Sequence, residues 1–239
     1  MMKYSSKKKH LFFILTILSA VLSLVGMVAI LTTPLGEYQF LYIFIVLIIG
    51  LLLMNKFRYQ LDQEIYLEQY YLLFKSKALP YTITEPLLTD KWIQTLTQKG
   101  YKLYKDYTKV SYYYRINQVS AKHKPPKTLV LLILIHDLEI KYNSNLIVQH
   151  INELEDSLRK KERYRQRVFI HIKSFKTENP PAIQATEQIF WIRKGNENIV
   201  SLHLSYFEKE KSIYYVHNPS YTPNQYYKYA VDAIENILP

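Results

Sequence analysis

The chain has 239 residues, with 31 Lys and Arg against 20 Asp and Glu for a formal charge of +11, and no cysteine. Without Cys there can be no disulfide, thiol nucleophile or thiolate metal ligand. Only Gly100 and Gly195 follow residue 50, so the glycine-rich phosphate loops of P-loop NTPases, dinucleotide-binding enzymes and protein kinases cannot be written from this sequence.

Residues 11–33 carry no charge, and neither do residues 38–54. A helix needs about 20 apolar residues to cross a bilayer. The two runs therefore read as a transmembrane hairpin closed by Thr33-Pro34-Leu35-Gly36-Glu37. Lys7, Lys8 and Lys9 precede the first run, Lys56 and Arg58 follow the second, and the turn carries only Glu37. Basic flanks favour the cytoplasmic side, so a multi-pass protein of the cell membrane with both termini cytoplasmic is expected. The first run exceeds the roughly 7–15-residue apolar core of a signal peptide. No ionisable residue lies inside either run, which argues against a transport path. Gly26 and Gly50 form no glycine-based small-xxx-small pair, so no dimer face is evident.

The chain then divides into an anchor over 1–56, juxtamembrane strands or linker over 57–88, and a cytoplasmic α+β domain over 89–239. Residues 57–74 fit either a helix continuing the second run or a pair of strands, and a turn at Lys75-Ser76-Lys77 with extended chain after it favours strands. Thr89-Asp90 opens a helix that Gly100 closes. Tyr- and Val-rich segments at 101–107 and 110–117 form a hairpin. Lys122 to Lys127 is a loop. Residues 128–135 are continuously apolar, which predicts a strand covered on both faces. Ile147, Ile151, Leu154 and Leu158 mark the buried stripe of a helix from 146 to about 164. A strand at 167–175 precedes a break at Asn179-Pro180-Pro181. Segments 188–193, 199–207 and 212–217 read as a three-strand meander with turns at Gly195-Asn196 and Glu208 to Lys211. A last helix begins at Thr222-Pro223 with proline at its first position, and buries Tyr227, Ala230, Val231 and Ile234. This order predicts an α+β domain with a mixed sheet.

Three groups of residues could carry function. His136 and Asp137, with Glu139 nearby, follow the buried strand, where a His and two carboxylates could bind a divalent metal or share a proton. A polar strand-to-helix loop accounts for them without any ligand and is the favoured reading. Alternation places His171 and Lys173 on one face of their strand and Ser201, His203 and Ser205 on one face of another. If the strands pair, His171, Lys173, Ser201 and His203 share a polar surface, catalytic or merely solvated. His171-Ile172-Lys173 has the spacing of the E-x-K element of restriction-type nucleases, with His in place of the metal-binding Glu.

The third group is the basic, Tyr-rich stretch containing Lys102, Lys105, Lys109, Arg115, Lys122 and Lys124. Residues 75–127 carry net charge +8, against +1 for residues 128–239. Such a surface suits anionic lipid, a protein partner or single-stranded nucleic acid. The sequence therefore favours a non-catalytic interaction or scaffold module at the inner membrane face, with the bilayer and a protein partner or its own copies as partners and no cofactor. A membrane-anchored metal-dependent hydrolase or nuclease, and a lipid- or nucleic-acid-binding module, are the alternatives.

Overall fold

The computed structural model describes residues 6–34, 36–75, 80–118, 127–160, 162, 164–194 and 197–239. Internal contacts divide the chain into two units, Met1–Lys75 and Ser76–Pro239.

The first unit is a helical hairpin of α1 (Ser6–Thr32) and α2 (Gln39–Lys75), joined through a 3-10 turn at Gly36–Tyr38. Gln39 closes the end of α1 by donating to the carbonyls of Ile30 and Leu31 at 3.0 and 3.1 Å. Of the two readings of 57–74 the helix forms and the favoured strands do not: α2 runs unbroken to Lys75, and Ser76 and Lys77 of the expected turn lie outside the described residues. No Gly or Pro interrupts residues 51–75. Tyr66, Tyr70 and Phe74 follow one another at intervals of four, and their rings pack along one helix face with centroids 6.5 and 4.4 Å apart. Helical spacing of the aromatics outweighs their strand propensity.

Within the hairpin, α1 and α2 share a packing face. It is built on Ser19 and Ser23, whose hydroxyls turn back onto the carbonyls of Thr16 and Ser19 at 2.8 and 2.7 Å. A Cβ placed on Gly50 would overlap the Ser23 side chain, and one on Gly26 would come within 3.2 Å of Val46. The small residues are spent on packing α1 against α2.

The second unit is an α+β domain around an eight-stranded mixed sheet. Its strands are β1 (Tyr81–Thr82), β2 (Lys102–Asp106), β3 (Val110–Gln118), β4 (Lys127–Ile135), β5 (Gln166–Phe175), β6 (Phe190–Lys194), β7 (Glu197–Phe207) and β8 (Ser212–Tyr214). The sheet order is β1-β8-β7-β5-β4-β3-β2, with β6 paired to β7. Strands β2, β3 and β4 are antiparallel neighbours, whereas β4, β5 and β7 are parallel. The parallel strands are connected through helices α4 (Asn145–Arg159) and α5 (Pro180–Ala185). Helices α3 (Asp90–Gln98) and α6 (Gln225–Ile237) complete the unit. Side chains of Thr89, Ser144, Asn179 and Asn224 cap the N-termini of α3, α4, α5 and α6.

Several expected boundaries change. The C-terminal strands are not a simple meander, because β7 pairs along one edge with β5 and shares its other edge between β6 and β8. The break at Asn179-Pro180-Pro181 is instead a helix start, with Asn179 as cap and proline inside the first turn. Helix α4 ends at Arg159, short of Tyr164. Helix α6 is capped by Asn224, so Pro223 precedes the helix. The turn expected at Gly195-Asn196 lies outside the described residues.

Alternation along the central strands makes two interior faces. Val168, Ile170 and Ile172 of β5 and Val200, Leu202 and Leu204 of β7 form one, all buried. Trp191 pairs in register with Val200 and meets the ring of Tyr227 edge-on at 5.3 Å, which puts α6 over this face. Helix α3 lies beside α6, since the Trp92 indole donates to the Ile237 carbonyl at 2.8 Å. On the opposite face Leu129, Leu131, Ile133 and Ile135 of β4 pack under Ile147, Ile151, Leu154 and Leu158 of α4. The continuously apolar β4 is thus covered on both sides, as its composition predicts.

Candidate functional site in the interior of the sheet

The α4 side of the sheet changes character at β5 and β7. Parallel pairing aligns Phe169 with Ser201, His171 with His203 and Lys173 with Ser205. The shared surface expected from alternation therefore forms, but it is not solvated: His171, Lys173, Ser201, His203 and Ser205 are all buried. Two covers account for this. Tyr142, from the loop after β4, stacks its ring on His203 with centroids 4.5 Å apart and meets His171 edge-on at 6.3 Å. Helix α5 supplies backbone carbonyls: Ala182 accepts from the Ser205 hydroxyl at 2.8 Å, and Ala185 faces His203 Nδ1 at 3.4 Å.

Most polar atoms of this cluster are satisfied. The Tyr142 hydroxyl donates to the Leu204 carbonyl and lies 2.9 Å from Ser205 Oγ. Lys173 Nζ donates to the Leu138 carbonyl at 3.1 Å and sits 4.9 Å from the Tyr142 ring centre. The exceptions are His171 Nδ1, His203 Nε2 and Ser201 Oγ, which are buried without a hydrogen-bond partner.

Burial dominates the electrostatics. It drives the His171 imidazole well below the ordinary histidine value, with the neighbouring His203 adding to the effect and the Tyr142 backbone opposing it. It pushes His203 down to about 4, against the opposing carbonyl of Ala185. It also lowers Lys173, with the Asp137 carboxylate pulling the other way. Both imidazoles are thus neutral at physiological pH, able to donate or accept hydrogen bonds but carrying no charge.

Beside this cluster, α4 and the sheet enclose a cleft of about 280 Å³ whose lining includes Tyr142, Ile151, Phe169, His171, Phe190 and Ser201. Glu155 and Arg167 stand at its edge as a buried ion pair, Nε to Oε1 3.2 Å. Arg167 also binds Glu197 at 2.6 Å. Burial raises the Glu155 carboxyl, and the guanidinium groups of Arg167 and Arg159 draw it back down. The cleft exists because the two crossover helices differ in length. Helix α4 has 15 residues and α5 only six, so α5 covers the His203 and Ser205 end of β7 but not Ser201.

The other candidates are distributed differently. His136 is exposed and hydrogen-bonds Ser111 at 2.7 Å, and Ser111 in turn donates to Asp106 at 2.5 Å. Asp137 pairs with Lys109 at 2.8 Å and accepts from the Glu139 backbone N–H at 2.9 Å. Its carboxyl is held below the usual range by that Lys109 contact first and the backbone bond second. Glu139 is exposed, and among the described residues no group of three His, Cys, Asp or Glu is arranged to hold a metal ion.

In the basic stretch, Lys105 pairs with Glu153 at 3.4 Å and Arg115 donates to the Lys99 carbonyl at 2.8 Å while stacking over Tyr101. Lys102 is exposed, and Lys122 and Lys124 lie outside the described residues. Tyr101, Tyr112 and Tyr113 are buried and do not offer a stacking surface.

Sequence reasoning missed Tyr142, Glu155 and Arg167. Continuing the alternation back from His171 places Arg167 on the cluster's face, so that signal was present. Tyr142 reaches the cluster from a loop and carries no periodic signal. Searches against family models, curated proteins and solved structures return no match.

Proposed function

We propose that this chain is a two-pass membrane protein whose α+β domain lies on the cytoplasmic side, with both termini, and acts by binding rather than turnover. It would hold a protein partner, or copies of itself, at the inner face of the cell membrane. The observation that carries the membrane reading is the pair of long apolar helices, Ser6–Thr32 and Gly36–Lys75. Lys7, Lys8 and Lys9 flank one and Lys56 and Arg58 the other, with only Glu37 in the turn. A cytoplasmic location of both flanks follows the positive-inside bias. The exposed apolar surface of both helices supports lipid contact: Leu22, Leu24 and Val25 of α1 and Phe40, Phe44 and Leu52 of α2 are exposed.

The binding reading draws on the lack of glycine-rich or nucleophile-elbow motifs in the sequence and on the positive charge of residues 75–127. Anionic lipid is a second ligand that this charge suits.

The absence of native cysteine makes topology directly testable. A single cysteine at Glu37→Cys should react with a membrane-impermeant maleimide in intact cells. One at Asp232→Cys should react only after the membrane is opened. The reverse pattern would overturn the orientation. Affinity purification of the full-length protein in mild detergent should then yield a stoichiometric protein partner or a defined homo-oligomer. A monodisperse monomer without any partner would count against the binding role.

A further inference from the structure

We propose that the cleft over β5 and β7 is a binding site for a small, uncharged, mostly apolar molecule bearing a hydroxyl or amide head. The proposal does not depend on the membrane placement or on a protein partner. Ser201 and His171 are 0% and 2% exposed and both line the cleft, yet Ser201 Oγ and His171 Nδ1 have no partner within the protein. Buried polar atoms are nearly always hydrogen-bonded. Ser201 and His171 sit on adjacent paired strands and line the same cleft, which offers a two-point hydrogen-bonding site to whatever fills it.

The chemistry of the walls narrows the ligand. Ile147, Ile151, Phe169, Phe190 and Ile199 make most of the remaining wall apolar, and Asn143, Asn152 and the Glu155–Arg167 pair supply its polar part. The nearest cation, Arg167, is already bound by Glu155 and Glu197, so no free charge awaits an anion. A neutral imidazole and a hydroxyl instead suit an uncharged head that can both donate and accept. The volume of about 280 Å³ equals the space of roughly nine waters. A compact ring with one polar substituent fits both the walls and the two unpartnered polar atoms. Val148 lines the cleft and is 47% exposed, so the site opens to solvent beside α4.

The test uses full-length protein in detergent micelles and two probes, 4-fluorobenzyl alcohol and 4-fluorotoluene, followed by fluorine NMR against empty micelles. The alcohol should bind saturably, and the toluene, which lacks the head, at least about tenfold more weakly. Ser201→Ala should weaken the alcohol by about tenfold and leave the toluene unchanged. Val148→Trp, at the exposed rim, should abolish binding of both while leaving the fold intact by circular dichroism. No saturable binding above empty micelles, or binding that survives Val148→Trp, would overturn the site. Equal affinities for the two probes would overturn the hydrogen-bonding head.

Discussion

The two faces of the β5–β7 pair are made from alternate residues of the same strands and are buried to the same degree, yet they are built on different terms. The α6 side holds Val168, Ile170, Ile172, Val200, Leu202 and Leu204, with no polar side chain among them. The α4 side holds His171, Lys173, Ser201, His203 and Ser205. An apolar face needs only a cover of the right shape. A polar face needs a cover that also supplies partners for each donor and acceptor, because a buried polar group without one costs about 1–3 kcal/mol. Helix α5 and the loop before α4 provide such partners through the carbonyls of Ala182, Ala185 and Leu138. Beyond α5, Ser201 Oγ has no partner, and there the cleft lies.

The largest effect that would sharpen this contrast is on the apolar face. Leu202→Ala should cost about 4 kcal/mol, read as a lowered unfolding midpoint in denaturant, because the tight packing between β7 and α6 cannot collapse into the space. The polar face should respond instead to pH. The folded-state value of His203, about 4, lies below its unfolded value of about 6.5. Above pH 6.5 both states are neutral and stability is fully present. Between pH 6.5 and 4 the unfolded chain binds a proton that the folded chain refuses, so stability falls as pH falls, by about 3 kcal/mol from this residue alone. His203→Gln should flatten that slope in thermal melts at pH 7, 6 and 5. A slope unchanged by the substitution would break the assignment.

Ser205→Ala should cost about 1 kcal/mol, through the Ala182 carbonyl it leaves without its donor. At the small end, Lys105→Ala removes an exposed pair with Glu153 and should leave the melting temperature unchanged. A large loss there would mean that the basic strands bear on stability more than their exposure implies.

Much of this architecture could be read from the chain. The unbroken apolar composition of β4 implied a strand covered on both sides, and alternation in β5 and β7 put the polar residues of each strand on one face. The register that brings His171 beside His203 could not be read, because parallel partners are joined by crossovers and local turns do not set their pairing. The meander failed for a related reason. Neighbouring strands usually pair, but β7 is apolar on one face and buried on the other, which demands an interior position beside β5. Residues 57–74 fit either a helix or strands; the turn read at Lys75-Ser76-Lys77 favours strands, whereas the four-residue spacing of Tyr66, Tyr70 and Phe74 is that of the helix that forms. The cleft itself was not legible, since it depends on the shortness of α5 and on Tyr142 arriving from a loop.

The position of α6 at the far end of the described chain has a consequence in time. Strands β2, β3 and β4 pair with sequence neighbours and can form while synthesis continues. The apolar face of β5 and β7, however, has its cover only once Gln225–Ile237 has been made. At about 5–20 residues per second, the ribosome takes about a second or more to travel from Phe207 to Ile237. During that interval a bare hydrophobic sheet face is presented to whatever stands near the nascent chain, and a chaperone that shields it then would act on this protein at a single, brief stage.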